Sequence, residues 1–121
     1  MSTNTGWIGV DLDGTLAEYH GWVGKHHIGA PIEPMVRRVK AWLMDGQDVR
    51  IFTARVHDKD VSVLRSIQNW CIEHIGVALP VTNAKDFQMI ELWDDRAVEV
   101  ATNTGIPVLA GWGTSSNTLR I

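Results

Sequence analysis

The sequence predicts an α/β fold with a mostly parallel β-sheet. Four short apolar runs have the length of buried strands, and two longer segments between them carry apolar residues at helical spacing. Their order along the chain, strand–helix–strand–helix–strand–strand, is typical of α/β proteins. Ligands bind at the carboxyl ends of the strands in such sheets. Polar residues stand at the ends of the first, second and fourth runs: Asp11, Thr53 and Asp94.

Length and charge indicate a single globular domain. The chain has 121 residues, enough for one core and too few for two, so we expect one domain over residues 1–121. The formal charge is −3 and no basic stretch is longer than a pair, so we expect no broad nucleic-acid-binding surface. One or two cations would still suffice for a nucleotide substrate.

The sequence contains no pattern typical of membrane insertion or export. No apolar run approaches the roughly 18 residues of a membrane span, and residues 1–6 lack the basic and apolar regions of a signal peptide. The single cysteine, Cys71, excludes an internal disulfide and suits a reducing compartment. We therefore expect a cytoplasmic protein that makes no membrane contact.

The first strand and the segment after it are predicted from their contrast in composition. The run "WIGVD", residues 7–11, is apolar and is followed by turn residues, which indicates a buried strand. Residues 17–32 lack regular periodicity and contain three glycines and a proline, which predicts a loop or a short flap.

The two helices and the second strand follow in order. The first helix is predicted over 33–46, with Pro34 in its first turn and Gly46 at its end. The second strand is predicted over 48–54. The second helix is predicted over 58–76, because an Asp-rich start precedes a single apolar stripe: Val61, Leu64, Ile67, Cys71 and Ile75.

The last part of the chain contains two further predicted strands and a segment that fits two different structures. Residues 79–83 and 89–95 have the pattern of strands, and the second of these runs ends in a pair of aspartates. Residues 97–111 fit either a short helix followed by a strand or a hairpin around Thr102–Gly105, and we favour the hairpin.

Side chains at one edge of this sheet would suit Mg²⁺-assisted phosphoryl transfer. Mg²⁺ prefers oxygen ligands and is usually held by one or two carboxylates together with phosphate oxygens. A carboxylate can attack phosphorus, and a second carboxylate nearby can move the proton. A lysine and a hydroxyl can stabilise the charge of the phosphoryl oxygens.

Four motifs, in order over residues 7–95, resemble those of the haloacid dehalogenase (HAD) superfamily. "VDLDGTLA" resembles the first motif, "IFTAR" the second, "TNAKD" the third and "IELWDD" the fourth. The resemblance implies a three-layer, Rossmann-like sheet with helices on both faces. The gaps between the motifs leave room for the flap at 17–32 and for no large cap domain.

The resemblance also implies the roles of the four aspartates. Asp11 would be the nucleophile and a direct Mg²⁺ ligand. Asp13 would be the general acid and base, and its backbone carbonyl would bind the metal. Asp94 would be the other carboxylate ligand, with Asp95 supporting it or sharing the role. Family members that are phosphatases carry the second aspartate, whereas dehalogenases lack it, so Asp13 favours phosphate chemistry.

The remaining motif residues are implied to bind the substrate phosphate. Thr53 and Lys85 would hold the phosphoryl group, although Lys25 or Lys59 could fill the role of the lysine. Arg55 and Arg96 could each contact the substrate, or have a surface or salt-bridge role. The full implied substrate-binding set is Gly14, Thr53, Ala54, Arg55 and Lys85.

The flap carries three histidines beside Tyr19 and Trp22, and two interpretations are open. Its aromatic rings could form a lid that stacks on a base, or the flap could be an exposed loop, which we favour. A metal site made by His26 and His27 is not expected, because adjacent histidines seldom share one ion and no third ligand is evident.

Taken together, these patterns predict a Mg²⁺-dependent phosphatase that works through an aspartyl-phosphate. Its size and spacing are similar to those of deoxyribonucleotidases, the phosphatase domain of phage polynucleotide kinases and small phage proteins. We therefore expect either a small phosphorylated substrate or the phosphorylated end of a macromolecule. A nucleotide or a nucleic-acid end is the first expectation within these classes. The alternatives are a non-catalytic phosphoryl-binding module and a phosphotransferase.

Overall fold

The computed structural model of the chain describes residues 6–108 and shows a sheet of four parallel strands. The strand order is β3-β2-β1-β4, so the first strand lies in the interior of the sheet. All three strand pairings are parallel, which confirms the predicted α/β fold with a parallel sheet. The strands are β1 at Trp7–Val10, β2 at Asp48–Phe52, β3 at Val81–Thr82 and β4 at Met89–Trp93.

Two α-helices connect the first three strands and pack on the same face of the sheet. Helix α1 spans Glu33–Met44 and helix α2 spans Val61–His74. The chain moves in one direction from β1 to β2 and on to β3, so right-handed crossovers place both helices on one side. Their buried side chains share one core with alternate residues of β1 and β2: Ile8, Val10, Val49 and Ile51.

This arrangement differs from the expected three layers. Within residues 6–108 no α-helix lies on the opposite face of the sheet, so the described elements form two layers. The reason is the short connection between β3 and β4: residues 83–88 cross the sheet without room for a helix.

The opposite face is covered in part by Trp7 and its neighbours. The Trp7 ring is buried, lies 6.4 Å from the ring of Phe52 and has the Arg50 guanidinium 4.6 Å from its centre. Its indole nitrogen donates a hydrogen bond of 2.9 Å to the carboxylate of Asp86. This bond holds the loop between β3 and β4 against the sheet, next to Lys85.

Helix α2 begins later than predicted and strand β3 is shorter, for local backbone reasons, and α1, β2 and β4 each end two residues before their predicted ends. Helix α2 starts at Val61 rather than at residue 58, because Lys59 has a φ of 59° that a helix does not allow. Asp60 then accepts the backbone N–H of Ser62 and caps the helix. Strand β3 has only two residues, since Pro80 before it has no N–H to donate.

The end of the described chain forms the small hairpin that the sequence favoured. Val100 and Pro107 form an antiparallel bridge, and Ala101 donates its N–H to the carbonyl of Ile106 at 2.8 Å. The last residues of the predicted segment, 109–111, lie outside the described residues.

Neither α-helix in the described part of the chain has the length and apolar character needed to cross a membrane.

Candidate active site

Three aspartates meet where β1 and β4 end. Asp11 directly follows β1, and Asp94 and Asp95 directly follow β4, the neighbouring strand. The backbone N–H of Asp11 donates to the carbonyl of Trp93 at 2.9 Å, so the two strands remain paired up to the first aspartate. One carboxylate oxygen from each aspartate lies within 4.8 Å of the others. This spacing suits a divalent cation with oxygen ligands.

Burial and neighbouring negative charge both change the acidity of Asp11. Partial burial, the charge of Asp94 and hydrogen bonding and charge from Asp95 raise the pKa of Asp11 from 3.8 to about 7. Burial disfavours the ionised form, and each neighbouring carboxylate disfavours it further. A cation bound between the three carboxylates would reverse this effect, because it would favour their ionised forms.

Gly14 and Thr15 hold Asp95 in this cluster. The hydroxyl of Thr15 accepts the backbone N–H of Asp95 at 2.9 Å, and it lies 3.2 Å from an Asp95 carboxylate oxygen. Gly14 has a φ of +90°, and a Cβ at this position would lie 2.5 Å from Asp95 Oδ2. The family resemblance implied a substrate contact for Gly14; in the structure, its missing side chain makes room for the Asp95 carboxylate.

Asp13 points away from the three-carboxylate cluster and pairs with Arg55. The guanidinium donates from Nε to Asp13 Oδ2 at 2.7 Å and from Nη2 to Oδ1 at 2.9 Å. The Asp13 carboxylate is therefore not among the clustered ligand atoms, which come only from the other three aspartates among the described residues. Arg55 forms a salt bridge in this structure and also lines the cavity in front of the aspartates.

Thr53 lies at the end of β2 and is almost completely buried, with 3% of its surface exposed. Its hydroxyl oxygen accepts the backbone N–H of Arg55 at 3.2 Å, which leaves the hydroxyl proton available to a ligand. Residues Ala54–Val56 form one turn of 3₁₀ helix after it. Both Thr53 and Ala54 line the same cavity as the aspartates.

The cavity in front of the aspartates has a volume of about 910 Å³. The flap contributes Tyr19 and Trp22 to its wall, and both aromatic side chains are exposed, Trp22 to 64%. Three cationic side chains also line it: Lys25, Arg55 and Arg96. The cavity therefore combines carboxylates, cations and aromatic surface.

Lys85, the lysine implied by the third motif, does not lie at the cavity with the aspartates. It lies on the exposed loop after β3 and does not line the cavity, although Asn83 two residues earlier does. Within residues 6–108, Lys85 forms no hydrogen bond or ion pair. The alternative Lys25 lines the cavity, but its ammonium group donates to Asp60 at 2.9 Å.

The base of the flap, residues 17–32, is tied to the rest of the domain. The N–H of Glu18 donates to the carbonyl of Ala30 at 2.8 Å, and the indole N–H of Trp70 donates to the carbonyl of Gly29 at 2.9 Å. A side chain on Gly29 would collide with the carbonyl oxygen of Glu18. These contacts require a glycine and fix both ends of the flap.

The tip of the flap rests on the first turn of α2. Lys25 pairs with Asp60, and the ring nitrogen Nε2 of His26 lies 2.8 Å from the hydroxyl oxygen of Ser62. Hydrogen bonds from Ser62 and Lys25 lower the pKa of the Asp60 carboxyl well below its usual range, so this contact stays charged at neutral pH. The sequence did not predict this contact, because the Asp-rich segment indicated a helix start and nothing about its partner.

The chain resembles a known protein in its fold. No family model matches the chain, and no curated protein matches it. A solved structure of a conserved protein coded by a locus from Bacteroides thetaiotaomicron is similar, with a TM-score of 0.58 and 21% sequence identity. The alignment covers 97% of this chain and 91% of the other. At this identity the likeness bears on the fold alone, and the chain shares an α/β arrangement with that protein.

Proposed function

We propose that this protein is a Mg²⁺-dependent phosphomonoester hydrolase of the HAD type, which works through an aspartyl-phosphate on Asp11. The observation that carries the proposal is the cluster of Asp11, Asp94 and Asp95 at the strand ends, with Asp13 beside it on an open cavity. The proposal includes an HAD-like arrangement without a large cap, because the connection from β1 to α1 contains only residues 11–32, the motif aspartates and the flap.

The donor set fits a magnesium ion. Asp11 and Asp94 would supply direct carboxylate ligands, and Asp95 would share or support that role, since all three offer oxygen atoms within 4.8 Å. Partial burial, followed by the charges of Asp94 and Asp95, raises the pKa of Asp11 in the metal-free cluster. Mg²⁺, when bound, would neutralise these charges and stabilise the negative charge of the phosphoryl oxygens.

The chain's own residues would then carry out two displacements at phosphorus. A carboxylate oxygen of Asp11 attacks the phosphorus atom, the ester P–O bond breaks, and Asp13 gives a proton to the leaving oxygen. Water next attacks the aspartyl-phosphate and passes its proton to Asp13. The bond between phosphorus and Asp11 breaks, and inorganic phosphate is released.

The phosphoryl group would be held by Thr53 and a lysine. The hydroxyl proton of Thr53 is available at the cavity, as described above. We assign the lysine role to Lys85, because Lys25 is engaged by Asp60, whereas Lys85 has no partner within residues 6–108. In this role the Lys85 side chain would extend from its loop towards the cavity, which it does not line in this structure, and would stabilise charge on the phosphoryl group.

The exposed aromatic rings favour a substrate with a planar group. Tyr19 and Trp22 line the same cavity as the aspartates, and planar bases stack on such rings. This supports a nucleotide or a phosphorylated nucleic-acid end as the substrate.

Phosphate release with and without Mg²⁺ tests the proposal. The substrates are nucleoside 5′- and 3′-monophosphates, oligonucleotides with phosphate ends, sugar phosphates and an aryl phosphate. We expect Mg²⁺-dependent release by the wild-type protein and none by Asp11→Asn, with circular dichroism showing that the variant is folded. Turnover by Asp11→Asn would contradict the nucleophile assignment. Background rates for both proteins on every substrate would instead favour the non-catalytic phosphoryl-binding module.

A further inference from the structure

The Arg55 side chain uses all of its nitrogen atoms within the protein. Nε and Nη2 donate to the two oxygens of Asp13, and Nη1 donates to the backbone carbonyl of Lys25 in the flap at 3.1 Å. The guanidinium also lies over the ring of Trp22, 5.2 Å from its centre. Only 7% of the Arg55 side chain is exposed. A bidentate pair of this kind fixes the orientation of a carboxylate as well as its position.

Arg55 extends from a part of the chain that is itself well held. Its backbone N–H donates to the hydroxyl oxygen of Thr53 at 3.2 Å, directly after β2. The Thr53 N–H donates in turn to the carbonyl of Thr82 on β3 at 2.9 Å. Arg55 is therefore held at both ends: its backbone is bound to the end of the sheet, and its guanidinium is bound to Asp13 and the flap.

The flap contact is also part of a larger set. The tip of the flap is held by α2 through Lys25 and His26, and the Arg55 bond reaches the carbonyl of that same Lys25. A single guanidinium thus links the flap, which lines the cavity, to Asp13, the carboxylate proposed to move the proton.

Building on the proposed function, we propose that Arg55 is a positioning residue: it orients Asp13 for the attack of water on the aspartyl-phosphate and ties that carboxylate to the flap. In this step the water oxygen bonds to phosphorus, its proton passes to Asp13, and the bond from phosphorus to Asp11 breaks. A carboxylate that is free to rotate would lose the geometry for this transfer.

The competing role for Arg55 is direct contact with the transferred phosphoryl group. Three of the five guanidinium N–H groups donate to Asp13 and the flap carbonyl, so that role would use the second N–H groups of Nη1 and Nη2. The two roles differ in the step they affect. Orientation of Asp13 matters most when water must be activated, whereas contact with the phosphoryl group matters in both displacements.

Rapid-mixing kinetics with p-nitrophenyl phosphate separate the two steps, because nitrophenolate departs without a proton from Asp13. We expect Arg55→Gln to release the first equivalent of nitrophenolate within about threefold of the wild-type rate. Later turnovers should slow by about 10²-fold, the usual contribution of a positioned base, and the aspartyl-phosphate should accumulate. Arg55→Lys, which keeps the charge and loses the planar fork, should give the same burst. An equal loss in both phases would overturn the proposal.

A double-variant comparison tests whether Arg55 acts through Asp13. Asp13→Asn should show the same burst, and adding Arg55→Gln to it should slow the later turnovers by less than about threefold more, since the oriented group is already gone. A multiplicative loss in the double variant would show that Arg55 acts independently of Asp13. Arg65→Gln, on the exposed side of α2, is the matched control for loss of an arginine.

Hydrogen exchange tests the flap contact without any turnover. We expect amides of residues 20–27 to exchange about tenfold faster in Arg55→Gln than in the wild-type protein, with the amides of α1 unchanged. Unchanged exchange in the flap would overturn the coupling. If the wild-type protein hydrolyses no phosphate ester but the flap amides respond, the proposed function fails while the structural link through Arg55 stands.

Discussion

The acidity of Asp11 leads to a quantitative prediction for the metal-free protein. The pKa of Asp11 is raised from 3.8 to about 7, so the folded protein binds this proton more tightly than the unfolded chain does. Stability from this group is therefore fully present below the unfolded pKa of 3.8 and is lost as the pH rises through 7. Replacing Asp11 with Asn removes the ionisable group, so the variant should not lose stability as the pH rises through 7.

The size of the effect follows from the shift. A change of about three pKa units corresponds to at most about 4 kcal/mol. Asp11 is only half-buried, so water screens the repulsion from Asp94 and Asp95 and the net effect is smaller. We expect Asp11→Asn to be about 1–2 kcal/mol more stable than the wild-type protein at pH 8 in a chelator. For a domain of this size that is a rise in Tm of several degrees.

Thermal unfolding followed by circular dichroism between pH 4 and pH 8, in EDTA, measures this difference. The gain in Asp11→Asn should shrink towards pH 4, where Asp11 is protonated in the wild-type protein as well. Glu99→Gln, on the exposed hairpin, controls for the removal of one negative charge. A variant that is no more stable than wild type at pH 8 would refute the reasoning about crowded charge.

Added Mg²⁺ should change which protein is the more stable at pH 8, the wild type or Asp11→Asn. An ion that binds only the folded state stabilises it in proportion to the logarithm of its concentration over Kd. We therefore expect Mg²⁺ to raise the Tm of the wild-type protein at pH 8 and to raise that of Asp11→Asn much less. Equal responses would show that Asp11 is not a ligand.

Three further substitutions test other parts of the site. Gly14→Ala should cost about 1–2 kcal/mol of stability, because its φ is positive, and should weaken Mg²⁺ binding measured by calorimetry, because the new Cβ would displace the adjacent carboxylate. Trp70→Phe should lose the hydrogen bond to Gly29, lower the free energy of unfolding by about 1 kcal/mol and speed hydrogen exchange in the flap; unchanged exchange would show that this bond does not hold the flap. Lys85→Ala should reduce phosphatase kcat/KM by about 10²-fold or more and Lys25→Ala by less than about tenfold; the reverse order would assign the phosphate contact to Lys25.

Much of the fold could be predicted because the signals are local. The apolar runs fix which segments become strands, and the parallel sheet follows from their alternation with helices. The prediction that Asp11 and Asp94 would lie at strand ends also depends only on each strand and the residue after it. Their meeting then follows because β1 and β4 are parallel neighbours whose carboxyl ends share one edge.

The errors in the predicted boundaries have equally local causes that sequence patterns show weakly. Asp60 is a capping residue rather than part of the helix, and the positive φ of Lys59 separates residue 58 from α2. The apolar and charged pattern around these residues fits both starting points, and only the hydrogen bond from Ser62 to Asp60 decides between them.

The sequence by itself determined the α/β class, the order of the elements and the set of polar residues at the strand ends. Only the tertiary structure decided that Asp13 faces Arg55 rather than the other aspartates, and that both α-helices share one face. The physical reason is distance along the chain. Asp13 and Arg55 are 42 residues apart, and their pairing depends on how β1, β2 and the flap pack together, which no single segment specifies.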